Sequence, residues 1–230
     1  MSAVSVYYGV RALLQDPVGD VRMNDDDALR CSVRHGHVEH VRELLRRGAD
    51  PNACGGAPLA IATQKGNATV VSALLDHGAD PSLNEGLAWG TAVIWERSDV
   101  LGLLRRHSRH PPPHRARAIT GENECDEPRK RVLLLPMAVE KSRPDILREL
   151  LRCGSGVELT QEENIVGILG LAHYKRIEED VASVLVEMAV ITTERLEQLR
   201  EDIERMSDRI SEGRVREEER RIFGRVALPP

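Results

Sequence analysis

One pattern is written twice between Asp27 and Leu83, and it restricts the folds open to the chain more than any other feature. The first copy, DALRCSVRHGHVEHVRELLRRGADPNA, occupies 27–53, and the second, APLAIATQKGNATVVSALLDHGADPSL, occupies 57–83. Leu59 answers Leu29, Gly66 answers Gly36, Val71 answers Val41, and Gly78-Ala79-Asp80-Pro81 answers Gly48-Ala49-Asp50-Pro51, always 30 residues on. A tandem match of this length marks a repeated structural unit.

The spacing within each copy predicts two short antiparallel helices. In the first copy Leu29, Cys31 and Val33 stop at Gly36, which can take the left-handed conformation that ends a helix. Val38, Val41, Leu44 and Leu45 then recur at three- and four-residue steps, so they share one helical face. Gly48 ends that second helix, and Asp-Pro opens an extended connection to the next unit. No single pair can bury its apolar face, so the units are stable only as a stack.

GHVEHVRELLRRGADPNA and APLAIATQKGN followed by LLDHGADP resemble ankyrin repeats, over about a quarter of the chain. The resemblance rests on Pro58-Leu59 opening a first helix, on the turn pair Gly36-His37 and on the Gly-Ala-Asp run after the second helix. It implies an all-α solenoid of stacked helix-turn-helix repeats joined by short hairpin loops and closed by a C-terminal helix.

Degenerate units are expected at 86–107, 133–159 and 163–190. In the first of these, Leu103-Leu104 fall 29 residues after Leu74-Leu75 and Trp95 takes the place of the turn glycine, while Trp89 and Trp95 are read as packing residues. In the second, Leu135, Met137 and Ala138 fall on Leu59, Ile61 and Ala62, Ser142 replaces the turn glycine, and Pro144 starts a helix where proline is tolerated. In the third, Ile165, Ile168, Leu169 and Ala172, then Val181, Val184 and Leu185, keep helical spacing. The resulting organisation is an N-terminal capping helix (1–23), repeats (24–107), a Pro/Arg-rich loop or linker (108–131), further degenerate repeats (132–191) and a charged amphipathic helix with its tail (192–230). That last helix carries Leu196, Leu199, Ile203, Met206 and Ile210 in a narrow stripe, which serves as a cap on the fifth unit or, alternatively, in self-association.

Composition excludes several classes. A net charge of -5 with 30% charged residues argues against a nucleic-acid binder, and no apolar run reaches membrane-spanning length. The segment SAVSVYYGVRALLQD lacks a basic start and a small-residue cleavage site, so it is not read as a secretion signal. Four cysteines without a C-x-x-C pair point to a reducing, intracellular compartment, cytoplasmic or nuclear. The cationic run between Arg105 and Arg117 reads as a solvated linker, with an acidic partner or an import receptor as the sharper alternative.

Chemistry-bearing motifs are absent: no phosphate loop, nucleophile elbow, H-E-x-x-H or calcium loop is present, so no catalytic residue, cofactor or enzyme activity is assigned. His35, His37 and His40 form an H-x-H-x-x-H set, but no cysteine or carboxylate is placed in sequence to complete a tetrahedral site, and no metal is assigned. Function therefore rests on surface. The family resemblance implies that hairpin tips and first-helix ends grip a protein partner on the concave face. The tips are Asn24, Asp25, Cys54 with Gly55, and Asn84 with Glu85; the helix ends are Arg34, His35, Gln64, Lys65, Glu140 and Lys141. These polar positions vary while the apolar ones repeat, as selective recognition requires. The chain is read as an intracellular adaptor, scaffold or inhibitor; the alternative is a substrate receptor of a ubiquitin ligase docking through its C-terminal helix.

Overall fold

A computed structural model of the chain describes residues 23–108, 110–113, 115–119, 130–154 and 162–209. The expected cap, apart from Met23, and the tail beyond Arg209 lie outside the described residues. The chain divides into two compact units, Met1–Val132 and Leu133–Pro230.

The first unit stacks three helix pairs: α1 (Met23–Arg34) with α2 (Val38–Arg46), α3 (Ala53–Lys65) with α4 (Ala68–Asp76), and α5 (Leu83–Ile94) with α6 (Ser98–His107). The first helices pack in the order α1, α3, α5 and the second helices in the order α2, α4, α6, giving two layers. The second helices are amphipathic, burying Val41, Leu44 and Leu45, then Val70, Val71, Leu74 and Leu75, then Val100, Leu101 and Leu104. The inner helices are apolar on all sides. Every residue of 57–64 and of 86–93 is buried, as expected of a helix without a polar stripe.

Left-handed residues punctuate the stack. Gly36 (φ 70°) and Gly66 (φ 69°) turn the first two pairs, and each is roofed by the next unit. Asn67 Nδ2 lies over Gly36, and the Arg97 guanidinium lies over Gly66, so a Cβ at either position would displace the side chain above it. The same position in the third pair is held by Glu96 (φ 56°). The third unit thus keeps the 30-residue offset, α6 starting at Ser98 as α4 starts at Ala68, and the 29-residue register is corrected. The sequence misled because no glycine marks the turn and Leu103-Leu104 imitates the earlier Leu-Leu pair; Leu104 is buried and Leu103 only half-buried.

Connections between units are held by one asparagine. Asn52 Nδ2 donates to the Gly78 carbonyl (3.0 Å), and its Oδ1 accepts from the Asp80 amide (2.8 Å). Asp50 and Asp80 fold their own loops by accepting from the Asn52 and Ser82 amides. The short loops then close as three consecutive left-handed residues, Cys54, Gly55 and Gly56 and again Asn84, Glu85 and Gly86. No strand crosses these loops.

The third second-helix ends differently. Ser108 continues extended (φ -78°, ψ 133°) where Gly48 and Gly78 turn, and the chain doubles back along α5 as β1 (Arg115–Ala118), paired with β2 (Lys130–Leu133). Residues 115–119 are therefore not the solvated linker expected over 108–131. Ala116 and Ala118 are fully buried, and Ile119 joins Ala60 and Leu87 in one apolar cluster. The backbone can come this close because Gly90 stands where the preceding unit has Ala60; a Cβ there would collide with the Arg117 carbonyl. Small apolar residues hidden among prolines and arginines gave no periodic signal.

The second unit holds α7 (Leu134–Glu140) with α8 (Pro144–Arg152), α9 (Glu162–Tyr174) with α10 (Glu178–Glu187), and α11 (Thr193–Arg209). Ser142 (φ 55°) and Arg176 (φ 58°) take the left-handed turns. Helix α11 buries Leu196, Leu199 and Ile203 and packs on α9, so its stripe acts as a cap. Glu178 ties the end together, meeting His173 Nδ1 (2.9 Å) and Arg200 Nε (2.8 Å).

Two stability tests follow. Asn52→Ala removes both links between successive loops and should lower the unfolding free energy by about 1–2 kcal/mol in urea titrations; an unchanged midpoint would show the loops to be held by packing alone. Gly66→Ala should cost about 1–2 kcal/mol, whereas Glu96→Gly, which relieves the same backbone conformation, should gain about 0.5–1 kcal/mol. Equal effects at the two positions would refute the roofing argument.

Candidate partner-binding surface

The residues expected to meet a partner separate into two rows in the first unit. At the ends of the first helices, Arg34, His35 and Lys65 are exposed. Gln64 is not. It is only 3% exposed, its carbonyl accepts from Arg97 Nη2 (3.2 Å), and it leaves the partner-facing set because the helix that carries it is enclosed throughout. At the starts of the first helices, Cys54 and Glu85 are exposed on the left-handed turns, while Asn84 is half-buried and accepts from Arg117 Nη1 (2.9 Å). Asn24 and Asp25 fall in the first turn of α1. In the second unit Glu140 is half-buried at the end of α7 and Lys141 is exposed beside it. Residues 57–64 of α3 and 86–93 of α5 expose nothing, so along these two helices the concave face is readable only at its two rims.

Sequence reasoning missed Arg97 and Asn67, which are structural roofs rather than ligands. It also missed the set Asn84, Gly90, Thr91 and Trp95, which holds residues 115–119. The available signal was comparative: in the preceding unit those positions are Cys54, Ala60, Ile61 and Lys65.

Electrostatics at the first rim centre on three imidazoles. The His35 and His37 rings stack at 6.0 Å, and His37 and His40 sit at 5.3 Å. Partial burial, then His40 and His35, hold the His37 imidazole below its ordinary range. His35 Nδ1 lies 2.9 Å from the Cys31 carbonyl, a geometry in which the ring nitrogen donates and Nε2 is left facing outward. Burial pushes the Cys31 thiol up, partly offset by Arg34, so it is a poor nucleophile. Among the described residues no three His, Cys, Asp or Glu side chains are placed to share a metal ion.

On the outer helices, Glu43 accepts from both Arg46 (2.8 Å) and Arg47 (2.7 Å), and its carboxyl is held down to about 2, chiefly by the Arg46 hydrogen bond. Beside it runs an open groove of about 580 Å³, floored by Thr69, Ser72 and Ala73 and walled by Arg42, Arg46 and Leu103. Arg42 and Arg46 already meet Glu39 and Glu43, so the groove offers no convergent polar set. Among the described residues no helix is long and apolar enough to cross a membrane.

Two layers of short helices, stacked pair on pair around a continuous apolar seam with polar turn ends, define a helical-repeat solenoid. Residues 1–85 match the family model for ankyrin repeats (3 copies), which places ankyrin repeats in this part of the chain. The match runs upstream of the first copy legible in the sequence, to residue 1. No curated protein matches the chain. Ankyrin repeats are in general protein–protein interaction modules.

The His37 environment has a pH consequence. A histidine with a depressed folded value binds its proton more tightly when unfolded, so its contribution is complete above the ordinary value of 6.5 and is lost as pH falls through the folded one. His37→Gln should therefore lose less stability than the wild type between pH 7 and pH 5, read as the shift in urea midpoint. Parallel pH profiles would overturn the assignment.

Proposed function

We propose that this chain is an intracellular interaction module, an adaptor, scaffold or inhibitor that holds a protein partner along the exposed rim of its ankyrin stack. The observation that carries the reading is the contrast within each unit. Leu29 and Leu59, and Leu44 and Leu74, repeat and are buried, while Arg34, His35 and Lys65 differ and are exposed. Constant packing under a changing polar edge is what selective recognition uses. Cys54 and Glu85 supply a second edge at the opposite helix ends, and Lys141 a corresponding position in the second unit. Catalysis finds less support: Cys31, whose thiol lies beside His35, is shifted away from its reactive form. Cys31, Cys54 and Cys153 are not joined in disulfides, which fits a reducing compartment.

The alternative, a ubiquitin-ligase substrate receptor docking through α11, has less to stand on. Among the described residues its Leu196, Leu199 and Ile203 are buried and the helix packs on α9, so this part of the stripe is not offered to docking machinery or to self-association.

The test is quantitative affinity purification from the source cell with the wild-type chain and an Arg34→Ala, His35→Ala, Lys65→Ala variant. All three side chains are exposed, so circular dichroism and melting should be unchanged. Loss of a specific partner from the variant is the expected result. Retention of the same partners would move recognition away from this rim.

A further inference from the structure

The third unit differs from the second at four positions at once. Cys54, Ala60, Ile61 and Lys65 become Asn84, Gly90, Thr91 and Trp95, and all four new residues meet the same stretch of chain, residues 116–119. Thr91 Oγ1 accepts from the Ile119 amide (3.1 Å), and Trp95 Nε1 donates to the Ile119 carbonyl (2.8 Å), so one peptide residue is gripped through its amide and its carbonyl together. Thr91 is oriented for this role because its hydroxyl donates to the Leu87 carbonyl (2.7 Å), which turns a lone pair toward Ile119. Gly90 lets the extended main chain lie directly on the helix. Asn84 Oδ1 accepts from Arg117 (2.9 Å) at the other end.

We propose that Asn84, Gly90, Thr91 and Trp95 form a receptor for an extended peptide, filled in cis by residues 116–119 and able to take a partner segment of the same chemistry. That chemistry can be read from the occupant. Side chains alternate along an extended chain, and here exposed Arg115 is followed by buried Ala116, half-buried Arg117 and buried Ala118. Ala116 and Ala118 are wholly enclosed, so the two inward positions admit only small residues. Arginine between them reaches Asn84, and an aliphatic residue follows, closing against Ala60 and Leu87. A ligand is therefore a strand reading small, arginine, small, aliphatic. Main-chain hydrogen bonds supply the affinity and the alternating pockets the selectivity, as in other strand-recognition sites. The site shares no residue with the rim triad Arg34, His35 and Lys65, so the variants that test the two readings do not overlap.

The probe is a synthetic peptide with the sequence of residues 113–119, Pro-His-Arg-Ala-Arg-Ala-Ile. Ala116→Asp with Ala118→Asp in the full chain places two carboxylates in enclosed positions and ejects the cis strand. Titration followed by tryptophan fluorescence should show the peptide binding this variant at least about tenfold more tightly than the wild type, whose site is filled, and adding Gly90→Val should abolish the gain. A folded double variant that ignores the peptide would reduce residues 115–119 to packing and overturn the proposal. Should the double variant not fold, hydrogen exchange of the wild type decides. An Ile119 amide that opens more readily than the α5 core supports an exchangeable occupant, and one that exchanges only with global unfolding overturns it.

Discussion

The first unit depends on one constraint: α3 has no face of its own to give to water. Ala57 through Gln64 are buried on every side, between α1, α4 and α5, so this helix exists only because neighbours enclose it. A helix–coil argument alone would not keep so short a segment helical. Its stability is borrowed from the stack, and the same holds for α5, which is enclosed by α3, α6 and β1. Enclosure also explains the polar residues inside. Thr63 and Thr91 return their hydroxyls to carbonyls one turn back, Leu59 and Leu87, so burial leaves neither of these two hydroxyls unmet.

The position that separates first and second helices shows how stacking selects residues. A left-handed turn is needed in every pair, but glycine fills it only in the first two, while Glu96, Ser142 and Arg176 take it in the others. Gly36 lies under Asn67 and Gly66 under Arg97; Glu96 takes the same turn with a full side chain. The backbone strain at Glu96, about 1–2 kcal/mol, is tolerable there, whereas at Gly66 strain and collision would add. Arg97 also places its charge against the carbonyl end of α3, where a cation is favoured.

How much of this was legible follows from periodicity. The helix pairs at 27–83 could be read residue by residue, because buried Leu, Val and Ile recur at fixed intervals and the stack has to bury them. The degenerate pairs were found through the same spacing, and Ser142 was identified as a turn residue although it is not glycine. Three things escaped. Glu96 carried no mark of its backbone conformation, and the register slipped by one residue. Gln64 looked like a surface residue from its polarity and its place at a helix end, yet it is enclosed by tertiary packing that no local pattern encodes. Residues 115–119 bury alanines and main chain rather than large side chains, so hydropathy shows nothing. The candidate rim was legible only as residue types at equivalent positions; which of them face outward depended on the neighbours.

The extended strand on α5 also marks where the pattern of the first unit's helix faces changes. Each unit before it presents a side chain at the Ala60 position for the next helix to pack on, but Gly90 presents bare backbone suited to a strand and not to another helix. A unit duplicated upstream of this point would be absorbed, because its faces match those on either side. One inserted after it would meet the wrong surface. Within this unit α5 no longer offers the surface that α3 does, and a single missing methyl group tells the two apart.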